Sequence, residues 1–130
     1  MMDKKPAYLF VYGTLLDKQN EFGAYLNQNC IFYAEGRFKG ILYDIGEYPG
    51  AVRGGSDSFV YGKIFQMKNY ENVLKLLDEY EGFGPDEIQP NLFLREPANV
   101  ETNDSVMECW IYLYNHSVEG LSVIPSGKYR

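Results

Sequence analysis

Residues 69–82 carry the strongest periodic signal in the chain, and that signal limits what can be built around it. Val73, Leu76, Leu77 and Tyr80 recur at i, i+3, i+4 and i+7, the spacing of one helix face. Asn69 stands where a side chain can accept from the first free backbone N–H groups. Gly82 stands where the helix should stop, because glycine enters positive φ without strain. A helix with one apolar stripe must lay that stripe on another layer.

The same helix puts a carboxylate in an awkward place. At about 100° per residue, with Val73 at zero, Leu77 lies at about 40° and Leu74 at about 100°. Glu81 falls between them at about 80°, whereas Glu79 falls on the far side at about 240°. Glu81 therefore lies in the apolar stripe, close to the negative end of the helix dipole. Desolvation and the dipole both favour the neutral carboxyl, which moves it toward the range of a general acid or base. The plainer reading is a side chain that reaches out to water from a frayed helix end. The helical wheel leaves both open.

The partner layer is made of strands. Tyr8-Leu9-Phe10-Val11-Tyr12 is nearly all apolar and reads as a strand buried on both faces. Gly13-Thr14-Leu15 follows it, and residues 17–20 open a second helix carrying Phe22, Tyr25 and Leu26. Residues 30–45 read as two strands broken at Gly36 and Gly40. Residues 46–50 read as a turn, Ala51 to Arg53 as a brief strand, and Ser58 to Met67 as a longer one. Residues 84–91 form a polar, proline-bounded segment expected to be mobile. Leu92 to Glu96 and Val106 to Tyr114 read as an antiparallel pair, and the last dozen residues as irregular. Six or seven short strands with two helices predict an α+β fold: a small, mostly antiparallel β-barrel or strongly curled sheet with flanking helices. At 130 residues, one domain spanning 1–130 is the expectation.

Composition narrows the function. The net charge of −6 argues against nucleic acid or an anionic membrane as partner. No apolar run is long enough to span a bilayer, and no apolar core follows Met1-Met2-Asp3-Lys4-Lys5, so a cytoplasmic protein is expected. Cys30 and Cys109 read as free buried thiols. With one histidine, His116, and no Cys/His cluster, no metal site is expected. Twelve tyrosines suit strands and a pocket wall with hydroxyl handles.

Three landmarks occur in order: Tyr12-Gly13-Thr14-Leu15 after the first strand, Tyr61-Gly62 in a middle strand, and Leu77-Asp78-Glu79-Tyr80-Glu81-Gly82 at the helix end. Tyr48-Pro49-Gly50, Phe93-Leu94-Arg95, Trp110 to Tyr114 and Ile124-Pro125-Ser126-Gly127 accompany them. The ordered set, from Tyr8 to about Tyr129, resembles the γ-glutamylcyclotransferase-like family, which includes γ-glutamylamine cyclotransferases and AIG2-like proteins. The resemblance implies a small β-barrel. It also implies a small-molecule γ-glutamyl substrate, released as 5-oxoproline plus an amine or amino acid. Glu81 corresponds to the family's catalytic glutamate, and Tyr12, Gly13, Thr14 and Leu15 to its substrate-cradling loop. Two positions depart from what many relatives carry. Lys63 stands where an acidic residue is common, and Phe93 where tyrosine is common. Both bear on the leaving group.

That reaction suits the residues. The substrate α-amine attacks its own γ-carbonyl, so proximity is largely built in. One carboxylate can take a proton from the amine and return it to the departing nitrogen. Backbone N–H groups at Gly13, Thr14 and Leu15 can hold an oxyanion. No cofactor is required, and a monomer or weak homodimer is expected. Tyr48, Pro49, Tyr12 and Tyr112 are further candidates for the pocket wall, although Tyr12 and Tyr112 read equally well as core tyrosines. Arg95 reads as an exposed strand arginine or as a cation offsetting substrate charge. Asp78 reads as a residue that caps or pairs locally, and His116 as a surface residue. The alternative function is a non-catalytic small-molecule-binding module on the same fold, followed by an interaction domain that uses its exposed tyrosines.

Overall fold

The structure, a computed structural model, describes residues 7–13, 21–46, 48–54, 57–85 and 87–128, without the side chains of 21 and 22. Thr14, Leu15 and the predicted helix opening at 17–20 lie outside the described residues, as does the Phe22 side chain. The elements run β1 (Tyr8–Val11), α1 (Glu21–Asn29), β2 (Cys30–Asp44), β3 (Pro49–Arg53), β4 (Phe59–Met67), α2 (Tyr70–Glu81), β5 (Phe93–Glu101), β6 (Val106–Tyr114) and β7 (Ser122–Val123).

Five strands pair in the order β2-β4-β1-β6-β5, and β5 returns to β2 at Arg37 and Glu101, which closes a barrel. β3 and β7 extend the sheet along the far half of β2. The pairs are antiparallel except β1 with β6, which run parallel at Leu9 and Trp110. The predicted barrel with flanking helices is therefore the architecture found.

Alternation along β1 explains its uninterrupted hydrophobicity. Phe10 and Tyr12 point into a cluster with Phe38, Val60, Ile64 and Ile111, which fills the barrel. Leu9 and Val11 point outward to Leu26 of α1 and to Val73, Leu74 and Leu77 of α2. Both faces are buried because the barrel core lies on one side and the helices on the other.

Several predicted boundaries differ from those found. β2 runs unbroken through Gly36 and Gly40, and its one register shift falls between Phe32 and Ala34. The glycines permit close approach. A Cβ at Gly36 would stand 2.7 Å from Val100 Cγ1, and one at Gly40 would run into the Val52 carbonyl oxygen. β5 extends past Glu96 to Glu101 and includes Pro97. At Pro97 it is paired with β6 only, so the missing N–H leaves no ladder bond unmade. Pro49 and Gly50 belong to β3 rather than to a turn, and Ser122 and Val123 form a short strand. The two ends of the segment expected to be mobile are bonded to each other. Buried Asn91 accepts from Gly84 N–H at 3.1 Å and donates to Gly84 O at 3.0 Å.

Both cysteines are free and buried. Among the described residues, no helix is long and apolar enough to cross a membrane.

Candidate active site

α2 delivers Glu81 to its position through its two ends. Asn69 occupies the N-cap position, but its side chain makes no capping bond; its backbone carbonyl accepts from Val73 N–H at 3.0 Å. At the other end Gly82 takes φ 71°, and Phe83 N–H closes back onto Asp78 O at 2.9 Å. The helix thus stops with Glu81 as its last residue. Val73, Leu74 and Leu77 are buried against the barrel, and Glu79 is exposed. The side of the helix predicted for Glu81 is the side it occupies.

Glu81 lines a cavity of about 180 Å³ at the end of β1. Tyr12, Gly13, Tyr48, Pro49 and Tyr112, all predicted candidates, line it too. Phe10, Val11, Tyr80, Leu92 and Phe93 complete the wall. Gly13 lies close to Pro49: a Cβ on Gly13 would stand 3.2 Å from Pro49 Cγ. Thr14 and Leu15 lie outside the described residues. Tyr48, Phe93 and Tyr114 form an aromatic run, with ring centroids 6.0 and 5.8 Å apart. Phe93 therefore presents a packed apolar ring to the cavity, with no hydroxyl.

Glu81 is the one carboxylate in the lining among the described residues. Burial pushes its pKa up from 4.5 to about 8. The hydroxyls of Tyr12 and Tyr112 are bonded within the protein. Tyr12 OH donates to the Tyr112 carbonyl at 2.6 Å and accepts from Ala51 N–H at 3.2 Å. Burial, and then the nearby Glu81 charge, hold this phenol well above its ordinary pKa, with Ala51 N–H pulling the other way. Tyr112 OH donates to Asp78 Oδ1 at 2.7 Å. Its phenol is also raised, by burial first and then by Asp78, with Arg95 opposing. Both stay protonated, so Glu81 carries the titration near neutrality.

Sequence reasoning missed one group. Arg95 is neither exposed nor aimed at the cavity. It grips Asp78 with two bonds, Nε to Oδ1 at 2.7 Å and Nη2 to Oδ2 at 3.1 Å. Asp78 likewise pairs across the fold rather than locally. Arg95 and Tyr112 are register partners on β5 and β6, and such partners share a sheet face, on which Asp78 meets both. His116 is exposed, its Nε2 lying 3.2 Å from Pro90 O. Among the described residues, no group of three or more His, Cys, Asp or Glu side chains converges to hold a metal.

Comparisons with known proteins point the same way. The profile of the gamma-glutamyl cyclotransferase, AIG2-like family matches residues 9–130. A gamma-glutamylcyclotransferase family protein of Citrobacter rodentium is 30% identical over 122 residues, 93% of each chain. The gamma-L-glutamyl-butirosin B gamma-glutamyl cyclotransferase of Niallia circulans is 33% identical over 109 residues, 82% of this chain and 66% of that protein. An AIG2-like protein from Mus musculus shares the fold at a TM-score of 0.73 and 21% identity, over 95% of this chain and 88% of that one. The solution structure of protein ytfP from Escherichia coli superposes at 0.67 with 28% identity, over 94% and 95%. The matched profile spans nearly the whole chain, including the β1 turn and the end of α2, and the chain belongs to the gamma-glutamyl cyclotransferase, AIG2-like family.

Proposed function

We propose that this protein is a cyclotransferase that releases 5-oxoproline from γ-glutamyl amines, with Glu81 as general base and then general acid. The observation that carries the reading is a carboxylate, the one in the lining among the described residues, raised to about 8 by burial inside a cavity that also includes Gly13 at the end of β1. Membership in the family supports cyclotransferase chemistry in general.

The substrate binds with its α-ammonium toward Glu81. A proton passes from nitrogen to the carboxylate, and the freed amine attacks the γ-carbonyl carbon. A new C–N bond closes the five-membered ring while the carbonyl oxygen takes the negative charge. Backbone N–H groups of the loop at 13–15 receive that oxygen and the substrate α-carboxylate. The tetrahedral intermediate then collapses: the bond to the leaving nitrogen breaks as Glu81 returns the proton to it, and the ring nitrogen gives its second proton to the freed Glu81 carboxylate, which passes it to water or to the departing amine, leaving a neutral lactam. A carboxyl near 8 suits both transfers, because neither the acid nor the base is too weak for its turn. Tyr12, Tyr48, Pro49 and Tyr112 shape the wall that selects the folded substrate rotamer.

The wall also favours one kind of leaving group. No lysine or arginine lines the cavity among the described residues, and Arg95 is committed to Asp78. A departing α-amino acid would bring a carboxylate next to Glu81, with no cation among the described residues to meet it. A neutral or cationic amine would not. The preferred substrates are therefore γ-glutamyl amines.

One observation favours a second reading, a binding module without turnover: the hydroxyls of Tyr12 and Tyr112 are both committed to protein partners. The experiment that separates the two measures 5-oxoproline release from a panel of γ-glutamyl amines and γ-glutamyl amino acids. Turnover of the amines, with slower turnover of the amino acids, supports the proposal. Saturable binding with no 5-oxoproline from any of them supports the module instead.

A further inference from the structure

Behind the cavity, one carboxylate joins three elements. Asp78 lies one helical turn before Glu81 on α2. Its Oδ1 accepts from Arg95 Nε of β5 and from Tyr112 OH of β6, each at 2.7 Å, and its Oδ2 accepts from Arg95 Nη2 at 3.1 Å. The Asp78 and Arg95 side chains are only 20% and 19% exposed, so this is not a solvated surface pair. The Arg95 guanidinium is held further by the Trp110 ring, 4.5 Å from its centroid, and by Phe83 at 5.6 Å. The carbonyl of Asp78 also accepts from Phe83 N–H, so the same residue ends the helix.

Tyr112 carries this network to the cavity. The Tyr112 ring is part of its wall, and the Tyr112 carbonyl receives the Tyr12 hydroxyl. Helix residues three apart have Cβ atoms about 5–6 Å apart, which puts Asp78 and Glu81 within electrostatic reach. Glu81 is faced by Tyr12 from the end of β1, Tyr48 before β3, Tyr80 on α2 and Tyr112 on β6. Asp78 and Arg95 are the fully charged groups nearest to it in this network. They stand as a neutral pair, and burial alone accounts for the raised Glu81 carboxyl.

We propose that Asp78 is a positioning residue for Glu81. Held by Arg95 and Tyr112, it fixes both the helix turn that presents Glu81 and the ring that walls it, and Arg95 cancels the charge Asp78 would otherwise add beside Glu81. The inference deepens the functional reading above, and its catalytic arm rests on that reading.

The test uses the full chain labelled with ¹³C at the glutamate carboxyl, with the Glu81 signal assigned by its loss in Glu81→Gln. Its titration is followed in Asp78→Asn, Arg95→Gln, Arg95→Lys and Tyr112→Phe. Asp78→Asn leaves an unopposed cation, so the Glu81 midpoint falls by about half a pH unit or more. Arg95→Gln leaves an unopposed anion, so it rises by about as much. Arg95→Lys keeps the charge and holds the midpoint within about 0.2, and it serves if Arg95→Gln does not fold. In turnover assays, Tyr112→Phe lowers kcat roughly tenfold with KM within about threefold, and adding Asp78→Asn lowers it little further, since the two act as one unit. A Glu81 midpoint that stays put in both charge variants while Tm drops makes the network a mere staple and overturns the proposal. Opposite midpoint shifts in a protein that turns over no γ-glutamyl compound would leave this electrostatic link standing and remove the functional reading. Turnover without those shifts would do the reverse.

Discussion

Glu81 shows what the site costs the fold. Its carboxyl has a folded pKa of about 8 against an ordinary 4.5, so the folded protein holds a proton that the unfolded chain has released between those values. Stability therefore falls as pH rises from 4.5 to about 8, and below 4.5 the penalty is absent. Glu81→Gln should remove it. Thermal melts are expected to show the variant more stable than the wild type at pH 9, by on the order of a few kcal/mol at most, and nearly equal at pH 4.5. Equal melting differences at both pH values would contradict the burial of this carboxyl. At this scale Glu81 was legible because a helical wheel needs only local sequence. Asp78 was not, since its partners lie 17 and 34 residues away on two strands, and no local period connects them.

At the scale of elements, the end of α2 decides whether Glu81 is presented. Gly82 holds φ 71°, and a Cβ there would meet Leu92 Cβ at an ordinary 3.6 Å, so a substitution is strained by backbone conformation and not by crowding. Gly82→Ala should cost about 1–2 kcal/mol. It should also lower kcat more than that loss of folded protein explains, with a smaller change in KM. Denaturant melts and steady-state kinetics on one preparation check both. The helix and most strands followed from period and turn residues, but strand ends were harder to place. Gly36 and Gly40 look like breaks in a local reading. In the barrel they are points where Val100 and the Val52 backbone come close, and β2 passes through them unbroken. β5 likewise runs past Glu96 through Pro97, since a proline in a strand is harmful only where a neighbour needs its N–H.

The whole molecule is held by contacts remote in sequence. The parallel meeting of β1 with β6 and the closure of β2 on β5 join segments that no hairpin connects. Composition and strand count predict a barrel, but they cannot say which strands close it. Gly62 marks one place where closure leaves no room: a Cβ there would collide with the Val11 carbonyl oxygen, one strand away and just before the β1 turn. Gly62→Ala should force β1 from β4 and cost roughly 3 kcal/mol or more, read as a lower denaturation midpoint or loss of soluble protein. An unchanged midpoint would mean that the seam gives way easily.

In the proposed mechanism this barrel presents one desolvated carboxylate to a substrate containing both reacting groups. The most direct measurement is 5-oxoproline release from a γ-glutamyl amine by wild type and Glu81→Gln, with both shown to be equally folded. Turnover by the wild type is expected, with a loss of about 10²-fold or more in kcat for the variant. A folded Glu81→Gln protein that keeps the wild-type rate would contradict this mechanism.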